Sequence, residues 1–205
     1  MSLGRPSPLA SRSGLLLVVL SCAPATPAKS PAAARVETSN LQVPPGTTLV
    51  EACTPTGPEL CFNAVDDNCN GVIDEGCGSR TGPLQFEIAW DVADADVNLS
   101  VTTPDGDTVP SPQTQPEPNG FHMDRDCPGK EGCGGQNVDN IYFDSGEGEP
   151  PRGHYMVKIT LAELHSAPPP VRVRFGARLG ARTVGFDVDL APGDDEKKTF
   201  SFDVP

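Results

Sequence analysis

From residue 84 to the end of the chain, hydrophobic and polar residues alternate with a period of two. In the first run, residues 84–90, every second residue is a large hydrophobic one. The same alternation recurs at Val97, Leu99, Val101, at Tyr155, Val157, Ile159, Leu161, at Val171, Val173, Phe175, at Phe186, Val188, Leu190, and at Phe200, Phe202, Val204. Successive strand side chains point to opposite faces, so this pattern predicts half-buried β-strands. Residues 138–143 form a further candidate strand.

Turn-forming residues separate these runs, as at 104–106, 168–170, 176–180 and 192–195. The 205 residues include 23 Pro and 21 Gly. Pro removes a backbone donor and Gly weakens a helix, so this composition disfavours helices. Short strands between such turns are typical of antiparallel sandwiches. The sequence therefore predicts an all-β fold, with residues 84–205 as one antiparallel β-sandwich domain.

The N-terminal residues have the order of a secretory signal peptide. Arg5 and Arg12 precede the uncharged apolar run 14–20, which leads to Ser21. A run of seven residues is too short to cross a bilayer. We therefore assign residues 1–21 to a signal peptide and expect the chain to be exported.

The residues at the predicted cleavage point, Val19-Leu20-Ser21-Cys22, resemble the lipobox of bacterial lipoproteins. The resemblance implies that Cys22 is lipidated and anchors the chain to a bacterial membrane, the outer one in our interpretation. Ordinary cleavage after Ala25 or Ala28 is the alternative. Seven cysteines are an odd number for an oxidising compartment, and lipidation of Cys22 leaves six to pair. Residues 22–52, rich in Ala and Pro, are predicted to be a disordered, lipid-anchored tether.

Residues 53–78 predict a small, disulfide-rich, acidic module. Its cysteines recur every eight residues, at Cys53, Cys61, Cys69 and Cys77. Counted from Asp66, the first, third, fifth, sixth and seventh positions of an EF-hand calcium loop are filled by Asp66, Asn68, Asn70, Gly71 and Val72. The twelfth position holds Cys77 instead of a bidentate Glu, which excludes a standard EF-hand.

The candidate ligands are the side chains of Asp66, Asn68 and Asn70 and the carbonyl of Val72, with Asp74 or Glu75 completing the shell. Carboxylate, amide and carbonyl oxygens without His or Met suit calcium better than copper. The alternative is a disulfide-stapled turn in which Asp and Asn form only local hydrogen bonds.

Residues 61–77 resemble C-N-G-x-D-D-[DN]-C-[DN]-G-x-x-D-E-G-C, a metal-binding repeat of secreted bacterial surface proteins. The departures are the extra residue Phe62 and Ala64 in place of Gly. The resemblance implies that this module binds a metal ion.

The cysteine spacing lacks the C-x2-C pairs of zinc sites, so we expect disulfides in an exported chain. Cys127 and Cys133 are expected to pair with each other. Three connectivities are open to the other four cysteines. We prefer the nested one, Cys61 with Cys69 and Cys53 with Cys77.

Residues 90–106 resemble the pattern W-D-x-x-x-D-x-D-L-x-V-x-x-P-D-G of the bacterial secreted domain family DUF2135, related to YfaP. Residues 134–143 and 151–159 agree with that family in order. The resemblance implies no activity. The segment 90–106 contains Asp91, Asp94 and Asp96, which we interpret as acceptors in an Asx turn. The alternative is a second, weaker calcium site with Asp139 as a distant fourth ligand.

The charge of the chain and its motifs disfavour two classes of function, nucleic-acid binding and catalysis. The 28 acidic and 15 basic residues give a net charge of −13, which disfavours nucleic acid as a partner. We find no spaced histidine metal pair and no catalytic triad, so we do not expect an enzyme. One expectation is a membrane-tethered binding or adhesion domain for an envelope protein or glycan. The others are a purely structural, calcium-stabilised surface domain and, last, an accessory domain of a secreted hydrolase. An exposed apolar patch would favour the first.

Overall fold

The computed structural model describes residues 1, 47–49, 53, 55, 57–110, 117, 118, 120–130, 132–193 and 196–205. All of these except Met1 belong to one compact unit, residues 33–205. The strands are β1 (Thr48–Leu49), β2 (Leu84–Trp90), β3 (Asp96–Thr102), β4 (Thr108–Val109), β5 (Phe121–Arg125), β6 (Val138–Phe143), β7 (Gly153–Glu163), β8 (Val171–Leu179), β9 (Arg182–Leu190) and β10 (Lys197–Val204). A single turn of 3-10 helix, Ser145–Glu147, follows β6. The described residues contain no α-helix, so the predicted all-β class is confirmed.

The strands form two antiparallel sheets with the hydrophobic core between them. The larger sheet has the order β1-β9-β8-β2-β6-β5 and the smaller one β10-β7-β3-β4. Alternate residues of the predicted runs point inward and bury their side chains almost completely. In one aromatic contact across the core, the ring of Phe200 lies 4.4 Å from that of Phe175 and 4.8 Å from that of Phe186. The predicted sandwich is therefore confirmed, and hydrophobic burial between its sheets supplies the main stabilisation.

Strand β2 departs from the predicted half-buried pattern because all seven of its residues are buried. Its polar residues Gln85 and Glu87 point away from the core, yet both are 0% exposed. The disulfide-rich module that contains Cys61, Cys69 and Cys77, called the cysteine-framed module below, covers this outer face of the larger sheet. For example, Gln85 Nε2 lies 3.5 Å from the carbonyl oxygen of Ile73, and Ile73 is itself buried.

A glycine in β8 lets the module approach the sheet. A Cβ atom at Gly176 would lie 2.2 Å from the carbonyl oxygen of Ala64 and 3.0 Å from Ile73 Cδ1. No real Cβ tolerates the first distance, so the backbone of the module occupies the space that any other residue would fill. Gly176 thus forms a notch in which residue 64 sits.

The predicted nested disulfide pairing is wrong. The bridges are Cys53–Cys69 and Cys61–Cys77, each with a Cα–Cα distance of 5.3 Å, whereas the expected Cys127–Cys133 bridge is confirmed. Hydrogen bonds within the module explain the difference. The carboxylate of Asp74 accepts the backbone N–H groups of Asn63 and Ala64. These bonds lay the chain after Cys61 against the chain before Cys77, so those two cysteines meet.

Removing the Cys61–Cys77 bridge is expected to loosen the module selectively. The double substitution Cys61→Ser, Cys77→Ser should cost the module about 2–4 kcal/mol, because a disulfide restricts the unfolded chain. Hydrogen exchange should show faster exchange in residues 57–78 and unchanged protection in β3, β7 and β10 of the smaller sheet. As a matched control, the Cys127→Ser, Cys133→Ser variant should leave protection of the module unchanged. Equal loss of protection in both sheets would contradict a separately stabilised module.

Several predictions on the N-terminal part of the chain lie outside the described residues. They are the signal peptide apart from Met1, the lipidation of Cys22, and most of the tether. The tether was predicted to extend to residue 52, but Thr48–Leu49 pair with Asp187 and Phe186 at the edge of the larger sheet. A disordered segment therefore cannot include these two residues. No helix in the described part of the chain has both the length and the hydropathy needed to cross a membrane.

Candidate metal-binding site

Residues 66–75 of the module form an acidic loop, and the side chain of Asp66 connects the two ends of its first turn and bonds the loop to the sandwich. Its Oδ1 accepts the N–H of Asn70 at 3.0 Å, and its Oδ2 accepts the N–H of Gly71 at 2.9 Å. The same Oδ2 accepts a hydrogen bond from the hydroxyl of Thr183 in β9 at 3.0 Å. Asp66 is only 6% exposed, and three donors satisfy its two oxygens. The side chain that was predicted as the first ligand therefore joins the loop to the larger sheet.

Three of the predicted ligands converge on one another. Asn68 and Asn70 both donate their side-chain N–H groups to Oε1 of Glu75. Their own amide oxygens accept the backbone N–H groups of Asn70 and Val72 at 3.0 Å and 2.8 Å. Cys69, between the two asparagines, has a φ of 65° and turns the chain tightly there. The loop thus gathers two amides and one carboxylate on one side. Coordination by the Val72 carbonyl stays a prediction.

Glu59, which the motif did not predict, adds a second carboxylate to this group. Its Oε1 accepts the N–H of Asp74 at 3.0 Å. Glu59 Oε2 and Glu75 Oε2 are both buried and have no hydrogen-bond partner. Burial, and then the neighbouring charge of Glu75, raise the pKa of Glu59 to about 7. The only sequence signal for Glu59 is an acidic residue shortly before the first cysteine of the motif.

Asp74 points away from this group and into the sheet. It is 0% exposed and accepts the N–H groups of Asn63 at 3.2 Å and Ala64 at 3.3 Å. Its remaining oxygen faces Glu87 of β2, which is also 0% exposed. Burial raises the pKa of Asp74, and burial together with Asp74 raises the pKa of Glu87 well above its usual value. Asp74 therefore serves the contact between module and sheet, where the raised pKa values favour a protonated carboxyl.

The second predicted cluster does not assemble around one point. Asp91 is exposed, and Asp94 accepts a hydrogen bond from the hydroxyl of Ser166. Asp96 has one buried oxygen without a partner, and burial followed by the charge of Asp126 raises its pKa. A backbone hydrogen bond from Ala95 N–H to the Val92 carbonyl closes this corner without an Asp side chain, so the Asx-turn interpretation stays a prediction.

Asp139, the predicted distant ligand, lies between the sheets. Its carboxylate accepts the N–H of Leu99 in β3 at 3.0 Å and the N–H of Cys127 at 2.8 Å. Burial raises its pKa to about 8. Asp139 therefore connects β6 with the opposite sheet and with the disulfide loop that begins at Cys127.

Among the described residues, no group of three or more His, Cys, Asp or Glu side chains is arranged to hold a metal ion. The set at the acidic loop is of another kind, two carboxylates with two amides, and its oxygen donors suit a hard cation. Glu59 and Glu75 each have one buried oxygen without a hydrogen-bond partner. Comparison with protein-family models, with curated proteins and with solved structures finds no match to this chain.

Proposed function

We propose that the protein is an exported, non-enzymatic surface domain whose cysteine-framed module binds calcium. The observation that carries the proposal is the pair of buried oxygens, Glu59 Oε2 and Glu75 Oε2, which lack a hydrogen-bond partner. Two carboxylates held together away from water repel each other unless a proton or a cation lies between them. Asn68 and Asn70 donate their side-chain N–H groups to Glu75, and their own amide oxygens lie in the same loop, where they accept backbone N–H groups. Calcium accepts six to eight oxygen ligands, so these oxygens could add to the shell.

The role of calcium in this proposal is structural. The loop contacts the sandwich through Asp66 and Thr183, and the module fills the notch at Gly176. An ion that orders the loop therefore also favours the packed arrangement of module and sheet. Apart from Met1, Leu60 and Met156 are the only large hydrophobic side chains exposed among the described residues. Two separate side chains do not form an apolar recognition patch, which supports the structural role over apolar recognition.

Adhesion to an envelope protein or glycan is the second candidate function. It is favoured by the outer face of the smaller sheet, which the module does not cover. This face carries exposed polar residues on three strands, among them Asn98, Lys158 and Thr199. Such a surface suits polar contacts with a ligand and not burial of an apolar one.

Export and membrane attachment belong to the same proposal. Three disulfides, Cys53–Cys69, Cys61–Cys77 and Cys127–Cys133, support folding in an oxidising compartment outside the cytosol. A lipid anchor at Cys22 would hold the domain at the cell envelope, on the outer membrane of a bacterium, through two or more acyl chains.

Calcium titration of the disulfide-intact protein tests the proposal. We expect calorimetry to give a dissociation constant of about 10⁻⁴ to 10⁻³ M, because few ligands are charged and the site resembles extracellular modules. Glu75→Gln should weaken binding strongly, since Gln removes the charge at the centre of the group. The control Glu149→Gln changes an exposed acid outside the module and should bind as wild type does. Absence of binding at millimolar calcium, or preferential binding of copper, would reject the proposal.

A further inference from the structure

The smaller sheet ends in a long, regular edge strand, β10. Among the described residues, β10 pairs with β7 on one side and with no strand on the other, which we call the open edge. The outermost strands at the other sheet edges are short or irregular: β1 and β4 have two residues each, and β5 has five with a register shift between Met123 and Arg125. Short or bulged edge strands resist pairing with another chain, whereas a long, regular one is a template for it. β10, with eight residues, is such a template.

The backbone of β10 directs alternate residues to the open edge. The N–H of Leu161 in β7 donates to the carbonyl of Glu196 at 2.8 Å, so residue 196 bonds toward β7. Bonded residues alternate along an antiparallel pair, and therefore residues 198, 200, 202 and 204 also direct their N–H and C=O groups to β7. The odd-numbered residues direct theirs to the open edge. A second strand can thus bond to β10 through Lys197, Thr199, Ser201 and Asp203.

These four residues are complementary to a second copy of themselves. When two β10 strands run antiparallel with Phe200 facing Phe200, Lys197 of each copy lies opposite Asp203 of the other, and Thr199 lies opposite Ser201. Opposite charges and hydroxyl pairs directly across two strands stabilise a sheet. A shift of two residues places Lys197 opposite Ser201 in one direction and opposite Pro205, which has no N–H, in the other. One register therefore satisfies both the backbone and the charges.

The two charged residues are placed to meet a partner. Lys197 is exposed, and the side chain of Asp203 is 58% exposed. Asp203 Oδ1 lies 3.0 Å from Nδ1 of His154 in β7, which holds the carboxylate on the outer face of the sheet. A lysine on an edge strand normally prevents pairing, because a neighbouring strand would leave its charge without a partner. Here the same strand supplies that partner at its other end.

We propose that the protein forms a symmetric dimer in which two β10 strands pair antiparallel, Lys197 of each copy opposite Asp203 of the other. The contact joins two four-stranded sheets into one continuous sheet through about eight backbone hydrogen bonds, around a twofold axis at Phe200. It goes beyond the proposed function and depends on neither calcium nor a lipid anchor. One pair of strands is a small interface, so we expect a weak dimer, with a dissociation constant of about 10⁻⁵ to 10⁻⁴ M.

Sedimentation velocity of the full, disulfide-intact chain, over about 10⁻⁶ to 10⁻³ M, tests the proposal with charge variants. Lys197→Asp and Asp203→Lys should each weaken the dimer by about tenfold, because both exposed charge pairs become repulsive. An equimolar mixture of the two variants should associate as wild type does, since opposite charges face each other again at both contacts. The control Lys158→Asp reverses an exposed charge on β7, away from the open edge, and should behave as wild type.

The mixture keeps the test sharp, because misfolded variants would not recover association on mixing. A wild type that stays monomeric at the highest concentration would overturn the proposal. So would a mixture that associates no better than the single variants.

Hydrogen exchange measured by NMR on wild type checks the register. In dilute protein, the N–H groups of residues 199, 201 and 203 should exchange fast and those of 198, 200 and 202 slowly. Above the dissociation constant, both sets should exchange slowly. Protection of the odd residues already in dilute protein would mean that another part of the same chain covers the open edge. Dimerisation without new protection would mean that another surface mediates it, and either result would overturn the proposal.

Discussion

Replacing Gly176 by alanine is expected to displace the cysteine-framed module from the larger sheet. The added Cβ would lie 2.2 Å from the carbonyl oxygen of Ala64, whereas real Cβ atoms essentially never come closer than 3.0 Å to such an atom, so the module must move. All four module cysteines pair within the module, so no disulfide holds it on the sheet. We expect a loss of about 2–3 kcal/mol in the free energy of unfolding, typical of overpacked sites.

Urea unfolding and hydrogen exchange check this prediction. Exchange should become faster at residues 57–78 and in the outer face of β2, because Gln85 and Glu87 lose their cover. The control Gly146→Ala lies in an exposed turn, where its Cβ meets only Oδ1 of Asp144 at 3.1 Å, and should change stability by less than about 0.5 kcal/mol. Unchanged exchange in the module of Gly176→Ala would show that this close backbone approach does not hold the module.

Replacing Glu87 by glutamine is expected to stabilise the protein at pH 8 and to change little at pH 5. In the folded protein, burial and the facing Asp74 hold the pKa of Glu87 well above its usual 4.5. Between that value and the raised one, the folded state therefore binds more protons than the unfolded state. Under that condition stability falls as pH rises, so wild type should be more stable at pH 5 than at pH 8.

Glutamine does not ionise, so it removes the part of the pH dependence of stability that comes from residue 87. Its side-chain N–H can donate to Asp74 Oδ1, which has no partner, and its oxygen can still accept from Gln85 Nε2. We expect a gain of about 1.5–3 kcal/mol at pH 8, the range for a hydrogen bond to a charged group. The positive charge of Arg125 acts in the opposite direction, since it favours the ionised acid in wild type and so reduces the gain.

Urea unfolding in a chelator at pH 5 and pH 8 gives the comparison. The variant should keep part of the pH dependence, because burial also raises the pKa of Asp139, to about 8. Glu149→Gln, at an exposed site, should follow the wild-type pH dependence. If Glu87→Gln were less stable than wild type at both pH values, the two carboxyls would not share a proton in the folded protein.

Local pattern was enough to predict the sandwich. Inward residues such as Phe86, Tyr155 and Phe175 follow directly from the period of two, and they are the ones that the core buries. The Cys127–Cys133 bridge was also predictable, because two cysteines six residues apart in a turn-rich segment have few other partners. The motif in residues 61–77 likewise predicted that Asn68, Asn70 and Glu75 act together, and their side chains do meet.

Tertiary structure alone decided the rest, because those features depend on the path of the chain between residues distant in sequence. Four equally spaced cysteines carry no information on pairing, which the hydrogen bonds of Asp74 to Asn63 and Ala64 settle. The alternation in β2 predicts an exposed polar face, but the module buries Glu87 there. Glu59 reaches the acidic loop only because the Cys61–Cys77 bridge folds the chain back, and Asp74 turns from the loop to the sheet because its partners lie on that side. A sequence period reports which face of one strand is apolar; what covers the other face is set by packing between segments.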